Sequence, residues 1–343
     1  MLHLVTGGCG YLGNLVARRL LETGEKVRIL DIWRDESLPP DVEFIEADVR
    51  NTNGVAQAMK NIDVVHHNAA MVPITKSGDV FRQVNVDGSR IVAEEAVKAG
   101  VSYFVYMSSS AVFGNAISPI FPDSAFSPVE SYGQSKMEGE LAVKKVCDLA
   151  NLPLIIVRPR TILGLGRLGI FQILFEWISE GRNVYVIGDG NNRFQFVHAL
   201  DLMDAYMLAL KQEKPGVYNV GAAEFGTMGE AIENVIRHAG TKSRLKHLPI
   251  GLSKVALKVL DKLSLSPLGP YHYHTYQRPV FFDVNHLLEI GWKPQYSNNR
   301  MFEGSYDWFL EHKDTLNKKD TNVGSPHRRA IKQGMLKILK WIS

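Results

Sequence analysis

The sequence predicts an α/β fold: a doubly wound parallel sheet followed by a smaller C-terminal lobe. Three observations predict it. Short β-branched runs alternate with helical stretches as far as Pro159, a glycine triplet follows the first run, and the alternation is lost beyond Pro159. Alternating strands and helices imply parallel βαβ units with helices on both faces of one sheet.

The runs HLVT, KVRILD, EFIEAD, DVVHHNA, YFVYMSSS and LIIVRP read as strands. Helical spacing separates most of them, as in Leu15, Leu20 and Leu21, or Ile91, Val92, Ala96 and Val97. Beyond Pro159 a helix is expected near Phe171–Ser179. The strand-like NVYVIGDG and the stretch FQFVHALDLMDAYMLAL follow it, and GVYNVG reads as a late strand returning to the first domain. Residues from about Gly226 to Lys313 carry helices and aromatic loops, and Lys313 to Pro326 is polar and reads as a linker.

Gly7, Gly10 and Gly13 form G-x-x-G-x-x-G between the strand HLVT and the helix YLGNLVARRLL. A triplet alone is weak evidence. In this context it marks a Rossmann turn, where glycines let a pyrophosphate approach the backbone at a helix N-terminus. Asp31 ends the second strand, where a carboxylate accepts hydrogen bonds from the adenosine ribose and repels a 2′-phosphate. NAD is therefore expected over NADP, with Arg34 close enough to weaken the preference. Asp48, ending the third strand, reads equally as an adenine-side contact or a helix N-cap.

Tyr132 and Lys136, in YGQSK, share one helix face at four-residue spacing. A phenol with a pKa of about 10 is a poor base, and a neighbouring ammonium lowers that value toward the working range. Ser109 follows the fifth strand, at the end of the sheet that faces the ligand crevice.

Together these residues resemble the extended short-chain dehydrogenases/reductases of the NAD-dependent epimerase/dehydratase family. The likeness covers residues 1 to about 312 and rests on TGGCGYLG, Asp31, ADV, HNAA, NVDG, SSSAVFG, YGQSK and VRP. It implies that Tyr132 is the acid/base, that Lys136 binds the nicotinamide ribose and tunes Tyr132, and that Ser109, rather than Ser108 or Ser110, polarises the reacting oxygen. The cofactor contacts implied are Gly7, Gly10, Tyr11, Leu12, Gly13, Asp31, Asp48 and Val49. Further along they are Asn68, Ala69, Ala70, Asn85, Tyr132, Lys136, Arg158 and Pro159. For Asn85, capping of the following helix explains the residue about as well.

The resemblance weakens at the substrate. Family members acting on nucleotide sugars place a diphosphate-binding arginine two residues before the phenylalanine of FVH. Here that slot is Phe194, and Arg193 precedes it. A second arginine, Arg278, begins RPVFFD without the glycine and aspartate that usually follow. Ser110 and Ala111 stand where sugar dehydratases carry an acidic pair, which disfavours dehydration. Ser110, Arg193 and Arg278 are the candidate substrate contacts.

Composition narrows the rest. The chain has 343 residues, 45% hydrophobic and 22% charged, with a formal net charge of +3. That size allows more than one lobe, and the near-balanced charge gives no general affinity for nucleic acid. Cys9 and Cys147 form neither a disulfide framework nor a metal-ligand spacing. The adjacent His66 and His67 point to opposite faces of a strand, so no metal site is expected there. Nor is one expected elsewhere. His198 reads as a packed polar residue and Cys9 as a space-filler. MLHLVTGG has no signal-peptide pattern, and no apolar run reaches the roughly 18–20 residues that span a bilayer. A cytoplasmic protein is expected.

Two amphipathic stretches remain. In residues 252–263 an apolar stripe opposes Lys254, Lys258 and Lys262, which reads as a helix docked on protein. In residues 328–343, Ile331, Met335, Ile338 and Ile342 form a stripe among five cations. That tail reads evenly as a helix docked on the body or a second copy, or as peripheral contact with the inner membrane face. The expected organisation is a NAD-binding domain over 1–165 with returning segments near 190–225, a substrate lobe over 226–312, and linker plus basic helix over 313–343. A nucleotide-sugar epimerase working through a keto intermediate is the first functional expectation. Second comes a dehydrogenase or ketoreductase resembling 3β-hydroxysteroid dehydrogenases, acting on an apolar or lipid-linked alcohol. A non-catalytic NAD sensor ranks last, because Ser109, Tyr132 and Lys136 are all present.

Overall fold

The structure is a computed structural model that describes residues 1–39, 42–72, 79–251, 253 and 278–318. The amphipathic stretch over 254–263 and the basic tail over 328–343 lie outside the described residues. Contact clustering separates two compact units. The first comprises Met1–Phe113, Phe126–Pro159 and Met203–Asn219, and the second takes the rest.

The first unit is built on a seven-stranded sheet of order β10-β6-β5-β4-β1-β2-β3. Its strands are β1 (Leu2–Thr6), β2 (Lys26–Asp31), β3 (Glu43–Glu46), β4 (Val64–His67), β5 (Tyr103–Met107), β6 (Leu154–Pro159) and β10 (Gly216–Val220). Neighbours from β3 to β6 pair in parallel. The order reverses at β1, beside β4, and such a switch point opens a ligand crevice at the carboxyl ends of the strands. The six strands read from the sequence are present, and GVYNVG does return to this sheet as β10.

Both faces of the sheet are covered. Leu4, Leu30, Val65, Phe104, Tyr106 and Ile156 pack on one face with Val55 of α2 (Thr52–Ala58), Val92 and Ala96 of α4 (Ser89–Ala99), and Val143 and Cys147 of α5 (Ser131–Ala150). Burying each large apolar side chain contributes about 1.5–3 kcal/mol. On the other face, Val16, Ala17 and Leu20 of α1 (Tyr11–Glu22) are buried, and Tyr206 of α7 (Ala199–Lys211) meets His66. Arg19 of α1 also pairs with Asp204 of α7 at 2.9 Å.

One helix has an irregular start. The short α3 (Val80–Arg82) runs into a π-wound turn, Gln83–Gly88, before α4 begins. Single π-turns inside helices are uncommon and recur at functional sites.

In the second unit β7 (Thr161–Leu163) pairs in parallel with β9 (Phe196–His198), and β8 (Val184–Ile187) with β11 (Leu245–Leu248). Phe171 and Phe175 of α6 (Phe171–Ser179) meet Phe302 and Tyr306 of the final helix in edge-to-face contacts. A capping box, Thr227 with Glu230, starts α8 (Met228–Ala239). The short α9 (Asn285–Glu289) precedes α10 (Asn298–Lys318). The linker reading fails at its start, since α10 continues through Lys318. Polar residues do not end a helix, and no glycine or proline occurs before Gly324.

Candidate active site

The glycine turn is built by close approach. Gly7 donates its N–H to Leu30 O at 2.9 Å, and Gly10 donates to Gly7 O at 3.0 Å. A Cβ on Gly13 would lie 2.1 Å from Gly7 O, so only glycine lets α1 start that close to the turn. Gly10 caps α1 without a side-chain bond, and the first turn holds no acidic residue. With Tyr11 and Leu12 opening it, this helix end suits an anion.

Asp31 ends β2 beside the turn, accepting from Cys9 N at 2.9 Å and Ile32 N at 2.8 Å. Burial pushes its carboxyl pKa up, and those two N–H groups oppose the rise. Cys9 fills space: its Sγ accepts from Asp35 N, and burial pushes the thiol up to about 12.

Several predicted contacts settle differently. Asp48 is not the N-cap of α2; Asn51 is, accepting from Gly54 N. The Asp48 carboxylate is gripped by Arg50 at 2.7 and 2.9 Å, and that pairing lowers its pKa. Val49 is buried against Gly88. Asn85 caps nothing either, because it sits inside the π-turn, fully buried. Its Oδ1 accepts from Met71 N at 2.8 Å, and its Nδ2 donates to Met71 O and Ser135 Oγ. Asn68, Ala69 and Ala70 follow β4, and the backbone of Ala69 lies against Gly7.

The three serines after β5 divide their roles. Ser108 Oγ donates to buried Glu140 at 2.6 Å. Ser110 is buried at the start of the 3₁₀ turn Ser110–Phe113. Ser109 is half-buried, and its Oγ accepts from Ala111 N at 3.1 Å.

Helix α5 carries the next residues. Its N-cap Glu130 accepts from Tyr132 N and Gly133 N at 2.9 and 2.8 Å, which pins the first turn. The half-buried Tyr132 ring meets Phe81 edge-on at 6.1 Å. Lys136 is buried, donates from Nζ to Met107 O at 2.7 Å, and lies 4.6 Å from the centre of the Tyr106 ring. Burial lowers its ammonium to about 8, with Glu140 opposing. Near neutral pH that cation remains mostly protonated, one turn from Tyr132.

As a side-chain contact to a cofactor, Arg158 is corrected. Its guanidinium pairs with Glu140 inside the protein and lies about 5 Å from the rings of Phe113 and Phe126. Pro159 follows it at the end of β6. The Glu140–Arg158–Ser108 cluster was not anticipated from the sequence. Its one signal was Glu140, four residues after Lys136 and hence on the same helix face.

In the second unit the one-residue displacement has a structural meaning. Arg193 and Phe194 are adjacent in an extended segment, so they point apart. Phe194 is fully buried, 4.9 Å from the Phe196 ring and 5.1 Å from the Arg160 guanidinium. Arg193 is exposed and sandwiched between Phe225 and Phe281 at 4.7 and 4.6 Å. A phenyl ring thus fills the slot where an arginine was sought. Arg278 donates from Nη2 to Gly114 O, and burial lowers its pKa. His198 stacks on Tyr296 at 3.6 Å and is held neutral, its pKa lowered to about 4 by burial. Among the described residues no cluster could hold a metal ion, and no helix is long and apolar enough to cross a membrane.

Comparison with known proteins follows the same lines. Residues 3–221 match the family model described as the NAD dependent epimerase/dehydratase family. An uncharacterized protein, y4nG, of Sinorhizobium fredii is 42% identical over 98% of this chain and 85% of its own length. The Bos taurus sterol-4-alpha-carboxylate 3-dehydrogenase, decarboxylating, is 30% identical over 60% of this chain and 59% of its own. Among solved structures, the Thermus thermophilus UDP-glucose 4-epimerase complex with NAD has a TM-score of 0.73 at 24% identity. It covers 90% of this chain and 99% of that one. With a family model spanning more than half of its length and the Rossmann turn in place, this chain belongs to the NAD-dependent epimerase/dehydratase family and is an enzyme of the extended short-chain dehydrogenase/reductase type.

Proposed function

We propose that the chain is a NAD-dependent epimerase acting on a nucleotide sugar through a transient keto intermediate. The observation that carries this reading is Lys136, buried and protonated one helical turn from Tyr132. NAD fits the residues present: a glycine turn opening onto an uncapped helix start, with the Asp31 carboxylate beside it for the ribose. When bound, NAD supplies the hydride acceptor, and later the donor, for one sugar carbon.

Tyr132, as phenolate, takes the proton of the substrate hydroxyl, and Ser109 donates a hydrogen bond to the same oxygen. Lys136 keeps Tyr132 acidic enough to do so near neutral pH. Rotation of the keto sugar before Tyr132 returns the proton inverts the centre. Ser110 and Ala111 offer no acid for eliminating water, which favours epimerisation over dehydration. The name of the Thermus thermophilus neighbour points the same way.

A second reading has an observation of its own. The phenyl ring of Phe194 in the phosphate-arginine slot suits a less charged substrate. The sterol dehydrogenase likeness and the basic tail agree with a net dehydrogenase acting on an apolar or lipid-linked alcohol at a membrane surface.

The experiment incubates the protein with NAD and a panel of nucleotide sugars or sterol-type alcohols. Epimerisation leaves NADH absorbance flat while the sugar changes, and dehydrogenation raises it continuously. Tyr132→Phe is expected to keep NAD affinity and lose about 10²–10⁴-fold in turnover. Near-normal turnover in that variant would remove Tyr132 from the mechanism.

A further inference from the structure

We propose that His67 is a positioning residue, which ties the glycine turn to the start of the Tyr132 helix through one directed chain of buried hydrogen bonds. The inference rests on the reading of Tyr132 and Lys136 given above. Every link lies in the first unit, and Thr6, His67, Asn85, Ser89 and Ser135 are all buried.

Hydrogen-bond capacity fixes the direction. Ser89 has one hydroxyl proton, and it goes to Asn85 O at 2.8 Å. At its 2.9 Å contact with His67 Nε2, Ser89 must therefore accept, so the imidazole carries its proton on Nε2. His67 Nδ1 is then an acceptor, and Thr6 Oγ1 donates to it at 2.7 Å. Thr6 Oγ1 in turn accepts from Ala69 N at 3.4 Å. Beyond Asn85 the chain continues: its Nδ2 donates to Ser135 Oγ at 2.9 Å, and Ser135 donates to Tyr132 O at 2.8 Å. No link can be reversed while Ser89 serves Asn85.

The π-turn makes this possible. Its i→i+5 winding draws the Asn85 carbonyl out of ordinary helix bonding, and the Ser89 hydroxyl serves that carbonyl instead. Helix α5 closes on the same carbonyl, since a Cβ on Gly139 would lie 2.1 Å from Asn85 O. Two groups facing His67 also require it to be neutral. Lys136 disfavours a second cation nearby, and Thr6 needs the bare Nδ1. His67 thus bridges the loops after β1 and β4 to the segment that carries Tyr132, without touching the reacting atoms.

Two amide variants divide the imidazole's roles. His67→Gln can put an N–H near the Nε2 position and keep the bond to Ser89, whereas His67→Asn reaches only the Nδ1 end. His67→Phe removes both. Two readouts need no sugar: NAD affinity by calorimetry, and the titration of the Tyr132 phenolate, read as ultraviolet absorbance against Tyr132→Phe.

In His67→Phe, NAD is expected to bind about tenfold more weakly or worse, and the phenolate should titrate closer to about 10. His67→Gln should recover most of the phenolate shift, and His67→Asn should not. Unchanged NAD affinity and phenolate titration in a folded His67→Phe protein would show a merely structural histidine. Should the Phe variant not fold, equal behaviour of the Gln and Asn variants overturns the proposal by itself. Failure of the epimerase reading would show instead as turnover surviving Tyr132→Phe, with NAD affinity in the His67 variants still reporting on the chain.

Discussion

His66 and His67 stand side by side on β4, both buried and both held neutral by desolvation, yet their hydrogen bonds run to opposite ends of the domain. His67 faces the α4 and α5 side, and its chain ends at the cofactor turn and the Tyr132 helix. His66 faces α7. Tyr206 lies 2.6 Å from its Nδ1, and its Nε2 is 2.9 Å from His3 Nδ1. The outer nitrogen of His3 then points at Glu25, 3.6 Å away beside the N-terminal ammonium. A sheet buried on both faces tolerates a polar residue on either face once its partners are supplied. What separates the two histidines is where each network leads. The first reaches the chemistry and the second reaches the surface.

The largest effect that sharpens this comparison is common to both residues. An unfolded histidine takes up a proton near 6.5, whereas folded His67 does so only near 3, and folded His66 also titrates well below the ordinary value. Between those values the unfolded chain binds more protons, so stability is full above pH 6.5 and falls as the pH drops. For His67 alone the loss is roughly 3 kcal/mol by pH 4. Denaturant titrations from neutral to acid pH should show the fall, and His67→Gln should flatten part of it. A variant with an unaltered acid limb would contradict the buried neutral ring.

A smaller effect separates the two residues. His66→Phe strands His3 Nδ1 and the Tyr206 hydroxyl, which should cost about 1–3 kcal/mol in urea unfolding. NAD affinity should stay unchanged, unlike in His67→Phe. A matching loss of NAD affinity would erase the distinction drawn between the faces.

Smallest of all should be the removal of every partner at once. His3→Leu, His66→Leu and Tyr206→Phe together leave no unmatched polar group, so stability should stay within about 1 kcal/mol of the parent. A much larger loss would mean that the surface-directed network has a role beyond satisfying itself.

The sheet was legible because buried parallel strands are short continuous runs of Val, Ile and Leu, and because Gly7, Gly10 and Gly13 occupy fixed places around one turn. Tyr132 and Lys136 were legible from spacing alone, since a helix has one geometry. Arg158 and Asp48 were misread because a motif records the residue and not its partner. Glu140 lies 18 positions from Arg158 and reaches it only through the packing of α5 on β6. Asn85 looked like a cap because nothing in NVDG signals a π-turn. The displacement of Arg193 was visible, but its meaning needed the alternation of an extended segment to turn Phe194 inward and Arg193 outward.

The Gln83–Gly88 turn also sets the angular phase of everything after it. A π-turn holds one residue more than the α-helical turn it replaces, and one residue corresponds to about 100° around the axis. Deleting a single residue there would restore regular winding and swing Ser89, Val92 and Ala96 by more than a quarter circle. Their apolar stripe would then no longer face the sheet. The irregularity therefore acts as a phase shifter between two helical registers, so the segment admits substitutions far more readily than a change in length.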